Sequence, residues 1–241
     1  MDLYHGIIEN TLDLLGAPSK VWSYDEKKAW KDLGENEVVL KKEAAYELGA
    51  DQLGAVHFLS VTTDNTMIQE DQILLFGKDL KEIKQDTAYA RIALLELKEV
   101  SDDEDQAYKE IRELEFAKYH IFPEGYMMRI SSSTGREQVR IRRVSLQRGM
   151  SFEHIGTSFI KEYKKNPNIH HMKLIFVTEE DLVKKLEPLA EKNRQITEAL
   201  CHILDGLPTD CGACSMKPIC DEVEGMREMH FKREEDEGRT K

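Results

Sequence analysis

Four cysteines stand in the 241-residue chain, and all fall late in it: Cys201, Cys211, Cys214 and Cys220. The run Cys211-Gly212-Ala213-Cys214-Ser215-Met216-Lys217-Pro218-Ile219-Cys220 has C-x2-C-x5-C spacing. Two thiolates two residues apart can grip one metal or cluster from a tight turn, and Gly212 lets the backbone wrap closely and offer amide donors to the sulfurs. A disulfide framework would spread its cysteines through a small secreted domain, so thiols crowded together read as a metal site. The expectation is an iron–sulfur cluster of the 4Fe–4S type, with structural zinc as the alternative, since both accept four thiolates. Cys201 is assigned as the fourth ligand. Its place in the apolar run Ala199-Leu200-Cys201-His202-Ile203-Leu204 equally suits a small buried hydrophobe, and then the fourth position is open or is filled by His202, His230 or a partner.

A second feature is an island of positive charge. Between Tyr126 and Met150 stand Arg129, Arg136, Arg140, Arg142, Arg143 and Arg148, opposed only by Glu137. In an alternating strand Arg140 and Arg142 point to one face while Val139 and Ile141 point to the other. Guanidinium forks suit phosphate and carboxylate groups, so the face is a candidate site for a phosphate-bearing ligand such as a coenzyme. The plainer alternative is a solvated strand face paired with the acidic segment 102–115.

The elements that must position these groups follow from hydropathy patterning. Leu3, Ile7, Ile8, Leu14 and Leu15 have helical spacing, and Gly16 with Pro18 supplies the stop. Trp22, Tyr24 and Trp30 read as a capping loop and short helix. Short apolar runs at Val38–Leu40, Ala55–Val61, Ile73–Phe76 and Arg91–Leu97 have the length and β-branched content of strands. Ser101 and Glu104 form a capping box that opens a helix through Ala107, Ile111, Leu114 and Ala117. After Pro123-Glu124-Gly125, strands from Tyr126 to Ser132 and Gln138 to Val144 form a hairpin. A helix from Phe152 to Tyr163, a strand from Met172 to Val177 and a long helix opened by Thr178-Glu179-Glu180-Asp181 complete the body, with Pro188 expected to kink that helix. The fold class is α+β: a mixed sheet packed with helices, and a short cysteine-rich C-terminal module. The expected division is 1–36, an N-terminal helical segment; 37–205, the α+β domain; and 206–241, a metal-binding segment with a charged tail.

Composition narrows the function. Lys and Arg number 34 against 46 Asp and Glu, a net charge of -12, which argues against a nonspecific nucleic-acid coat or a polybasic membrane binder. No apolar run approaches a membrane span, and the first residues lack the features of a secretory signal, so a cytoplasmic protein is expected. Dinucleotide and Walker glycine fingerprints and a nucleophile elbow are absent, and no residue is singled out as catalytic.

Several segments resemble one family. Ile73-Leu74-Leu75-Phe76-Gly77-Lys78-Asp79-Leu80-Lys81-Glu82-Ile83, the Glu124-Gly125 turn, Ser133-Thr134-Gly135-Arg136, Arg143-Val144-Ser145, Gly149-Met150-Ser151-Phe152 and Lys173-Leu174-Ile175-Phe176-Val177-Thr178-Glu179 are similar to the central portion of acetyl-CoA synthase. That enzyme is the beta-type subunit of the carbon monoxide dehydrogenase/acetyl-CoA synthase complex of anaerobes. The resemblance spans roughly residues 37 to 220. It implies an α+β middle domain with an arginine surface linked to coenzyme A, which Arg136, Arg140, Arg142 and Arg143 would inherit with Arg129 beside them. It also implies cluster ligation by Cys211, Cys214 and Cys220. The family's next cysteine is spaced more widely than Cys220, its later ligands have no counterpart before Lys241, and the Cys-x-Cys motif for the outer nickel is missing. The expected role is accessory, electron-transfer or assembly work in acetyl-CoA or one-carbon metabolism, with carbon monoxide dehydrogenase/acetyl-CoA synthase or corrinoid protein subunits as partners. The alternatives are an acyltransferase completed by a partner chain, and a zinc-stabilised docking module.

Overall fold

The computed structural model describes residues 4–35, 37–40, 44–50, 52–101, 103–130 and 136–205. Among the described residues eight strands and five α-helices are ordered α1 (His5–Leu15), β1 (Lys20–Ser23), β2 (Ala44–Leu48), β3 (Ala55–Thr62), β4 (Gln72–Phe76), β5 (Tyr89–Leu97), α2 (Glu104–Phe116), β6 (Tyr126–Ile130), β7 (Glu137–Arg142), α3 (Arg143–Gln147), α4 (Phe152–Tyr163), β8 (Ile169–Val177) and α5 (Glu180–Asp205). A five-stranded mixed sheet runs β1-β4-β8-β5-β3, and a three-stranded antiparallel sheet runs β2-β7-β6. In the large sheet β4 and β8 are parallel, as are β3 and β5, while β5 and β8 are antiparallel. The α+β expectation therefore holds.

Burial explains the layers. All nine residues of β5 are buried, the near-continuous apolar run of a strand covered on both faces. Helices α1 and α5 pack on β3 and on each other, while α4 packs on β4 and β8. Close approach there requires Gly156, because a Cβ at that position would lie 2.8 Å from Ile73 Cγ1 and Cγ2. Helix α4 starts where a helix should: the Ser151 side chain accepts from the His154 N–H.

The segments that carry the family resemblance interlock. The buried Asp79 carboxylate accepts from the backbone N–H of both Leu80 (2.8 Å) and Phe152 (2.9 Å), tying the turn after β4 to the start of α4. Thr178 Oγ1 accepts from the Lys78 N–H at 2.7 Å and donates to the Lys78 carbonyl at 3.0 Å. Ser145 Oγ donates to the Glu124 carbonyl. Gly125 has φ 78°, and a Cβ there would fall 2.0 Å from Ser145 Oγ, so both backbone conformation and space demand glycine. These motifs thus hold architecture rather than reactive groups.

Three local expectations are corrected. Residues 20–23 form β1, with Trp22 opposite Ile73, because the apolar edge of β4 recruits the segment that read as a capping loop. Val38–Leu40 is no strand: only Val39 is buried, Val38 and Leu40 are exposed, and the segment that pairs with β7 is Ala44–Leu48. The cap of α2 is Asp103, which accepts from the Gln106 N–H at 2.8 Å, while Ser101 accepts from the Asp103 N–H. The β6–β7 hairpin forms as expected, with Tyr126 opposite Ile141. Helix α5 continues through Pro188.

Candidate functional site

The small sheet is built so that one parity of β7 is buried and the other reaches outward. Glu137, Val139 and Ile141 are fully buried, while Arg140 and Arg142 sit on the opposite phase, as alternation requires. The outward pair is already engaged. Arg140 Nε donates to Glu47 Oε1 at 2.5 Å, its directly opposed neighbour on β2, and Arg142 forms an ion pair with Glu37. The carboxylates facing these arginines therefore come from residues 37–47 rather than from the acidic helix α2, because β2 is the neighbouring strand. Arg129 and Arg143 are exposed at the small sheet's margin. Arg136 turns the other way, with Nη2 donating to the Leu53 carbonyl at 2.7 Å.

That turn takes Arg136 into the wall of a cleft of about 890 Å³, bounded by the start of β3, by α2 and by α5. Volume of this order accommodates a cofactor-sized ligand. Its rim is a mosaic of charge: Lys118 pairs with Glu115 at 2.9 Å, Lys184 with Glu180 at 2.7 Å, and Arg194 with Glu191 at 2.6 Å and with Glu198. The apolar parts of the wall come from Val56, Phe58, Phe116 and Ile130.

Behind the cleft lies a polar network that the arginine island only half disclosed. Arg91, the third residue of β5, makes a bidentate pair with Glu137 of β7: Nε to Oε1 at 2.9 Å and Nη2 to Oε2 at 2.5 Å, both side chains buried. Its guanidinium lies 4.5 Å from the centre of the Phe159 ring. Burial alone would raise the Glu137 carboxyl, but the Arg91 charge and hydrogen bonds hold it below its usual value. Burial likewise opposes the Arg91 cation, and Glu137 more than offsets this.

Next to this pair, burial pushes the His57 imidazole down to about 4; the Lys118 and Arg91 cations add to the effect and Glu137 opposes it. Neutral His57 accepts, through Nε2, from Lys118 Nζ at 3.1 Å. A cleft wall carrying a neutral imidazole, an ammonium and the Glu115 carboxylate can bind an anion or pass a proton. The signal that could have found the network was parity: Glu137 shares the buried phase of Val139 and Ile141, and Arg91 lies inside an apolar run, so each charge required a buried partner.

Of the expected metal ligands, Cys201 falls in the last turns of α5, while Cys211, Cys214 and Cys220 lie outside the described residues. The same is true of Ser133-Thr134-Gly135. Residues 31–183 match the family model of the CO dehydrogenase/acetyl-CoA synthase complex beta subunit. The chain belongs to this family. The matched span begins after β1, contains both the cleft's β3 wall and the arginine hairpin, and closes in the first turn of α5. No curated protein matches the chain. Among the described residues no helix is long and apolar enough to cross a membrane.

Proposed function

We propose that this member of the beta-subunit family holds an iron–sulfur cluster through Cys201, Cys211, Cys214 and Cys220 and binds coenzyme A, or a similar phosphate-bearing anion, at the cleft beside the arginine hairpin. Its role is accessory, electron-transferring or assembling, in acetyl-CoA or one-carbon metabolism, alongside other subunits of the carbon monoxide dehydrogenase/acetyl-CoA synthase system. The observation that carries this reading is the family match over 31–183 running up to a helix that leads into the C-x2-C-x5-C cysteines. Four thiolates are a donor set that suits either a 4Fe–4S cluster or zinc. A cluster so bound would supply one-electron chemistry, and the chain's own part is to present the sulfurs and exclude competing ligands.

Within the cleft, Arg136 is the arginine of the island best placed for phosphate, since Arg140 and Arg142 are held by Glu47 and Glu37 and a ligand at them would have to displace a carboxylate. Anaerobic purification, followed by analysis for iron, nickel and zinc and by visible spectra before and after reduction, tests the cluster. About four irons per chain with a reducible band is the expected result; one zinc and no colour makes the cysteine segment structural. Cys211→Ser is expected to abolish stoichiometric metal at the thiolates. Calorimetric titration with coenzyme A tests the cleft, with Arg136→Gln expected to weaken binding at least tenfold, and unchanged affinity removing Arg136 from the site.

A further inference from the structure

At the far end of the large sheet, a bulge does something that regular strands cannot. Consecutive residues of a strand point to opposite faces. In the β5–β8 ladder, however, Glu96 is opposite His171 and Leu97 is opposite Ile169, so His170 is an extra residue on β8. Such an insertion re-aims side chains locally. The two imidazoles consequently lie together, ring centres 4.1 Å apart, and one donor atom from each falls within 4.8 Å of the other and of a Glu96 carboxylate oxygen.

The protein leaves this group incompletely satisfied. Glu96 is 3% exposed, and while its Oε1 lies 3.0 Å from His170 Nδ1, its Oε2 is buried and has no hydrogen-bond partner among the described residues. His171 Nδ1 is likewise buried and unpartnered, 3.9 Å from Asp71 Oδ1. Asp71 is itself fixed, with Oδ2 paired to Lys164 at 2.6 Å and Oδ1 accepting from the Met172 N–H at 3.0 Å. A desolvated carboxylate oxygen and a desolvated ring nitrogen in one side-chain cluster are costly when left unpaired. A divalent cation held by the cluster would relieve that cost.

We infer that Glu96, His170 and His171 form a binding site for a divalent transition-metal ion, built from residues other than the cysteines and distinct from the cleft. Two imidazoles and one carboxylate favour borderline ions such as zinc, nickel or cobalt over magnesium or calcium, which prefer oxygen donors. The half-exposed rings, at 49% for His170 and 29% for His171, leave the remaining coordination positions open to water. Glu96 lies five positions along β5 from Arg91 behind the cleft, roughly 17 Å at strand rise, so the two sites are distinct.

The test is zinc titration of the full-length reduced chain under anaerobic conditions against a competing chelator. The unaltered chain and Cys211→Ser are expected to share one equivalent of zinc that His171→Gln and Glu96→Gln lose or bind at least tenfold more weakly. Equal stoichiometry and affinity in His171→Gln overturns the site. Thermal melts check that the variants fold. If they do not, histidine NMR on Cys211→Ser decides: zinc must shift two assigned imidazole resonances, those of His170 and His171, and unshifted resonances overturn the inference. The result is independent of the iron analysis, so failure here leaves the cysteine cluster reading intact, and the reverse.

Discussion

His57 illustrates how one side chain's surroundings become a property of the protein. Its folded pKa of about 4 lies below the unfolded value near 6.5, so between those limits the unfolded chain binds more protons. Stability contributed by neutral His57 is therefore complete above pH 6.5 and is lost as pH falls toward 4, by at most about 3 kcal/mol for a shift of this size. Urea unfolding between pH 7 and 5 should show this decline, and His57→Gln should flatten it; an unchanged slope in the variant would assign the decline to other groups. The same neutrality determines which way the contact with Lys118 runs, since only an unprotonated Nε2 can accept from the ammonium.

Elements in this fold meet at a few points where side-chain size decides the packing. Helix α4 approaches β4 through Gly156, directly over Ile73. Alanine is the better helix former by about 1 kcal/mol, yet Gly156→Ala is expected to destabilise by about 1–3 kcal/mol because its methyl collides with two Ile73 carbons in a packed interior. Ile73→Ala in the same chain should recover part of that loss, measured as a non-additive double-mutant cycle. The bulge in the β5–β8 ladder is another such point. A one-residue insertion costs little in sheet pairing, but it decides whether His170 and His171 face together or apart.

The two sheets are joined by a buried ion pair and by the Tyr89–Tyr126 hydroxyl contact of 2.7 Å. Arg91 belongs to the large sheet and Glu137 to the small one, so their pairing sets how the arginine hairpin sits against the cleft. Breaking such a pair leaves an uncompensated buried charge, and Arg91→Met is expected to cost about 3–5 kcal/mol. Replacing both residues, as Arg91→Met with Glu137→Leu, should restore most of the stability, read from urea midpoints. If the double variant remains as unstable as the single one, the pair is required for geometry and not merely for charge balance. The exposed part of the cleft rim differs: removing Lys184–Glu180 or Arg194–Glu191 should change stability by no more than about 1 kcal/mol.

Much of this was legible without coordinates. Helices at His5–Leu15 and Phe152–Tyr163, strands β3, β4 and β5, the β6–β7 hairpin and the α+β class all follow from period and punctuation, since burial of an amphipathic face imposes its own spacing on the chain. The outward phase of Arg140 and Arg142 was equally readable, because alternation is a local property of extended backbone. What occupied that phase was not. Glu37 and Glu47 reach the arginines only because β2 pairs with β7, and residues 44–48 carry too little apolar pattern to declare themselves a strand. Trp22 lies on a strand for the same reason: an edge takes its hydrogen bonds from its neighbour. The Arg91–Glu137 bridge joins residues 46 positions apart, the Glu96–His170–His171 group residues up to 75 apart and the cleft residues from Gln52 to Glu198, and the metal-ligand group depends on a shift of register that no local pattern announces. Period and residue type act between neighbours along the chain; which charged groups meet is decided by strand order and register, which exist only once the sheets have closed.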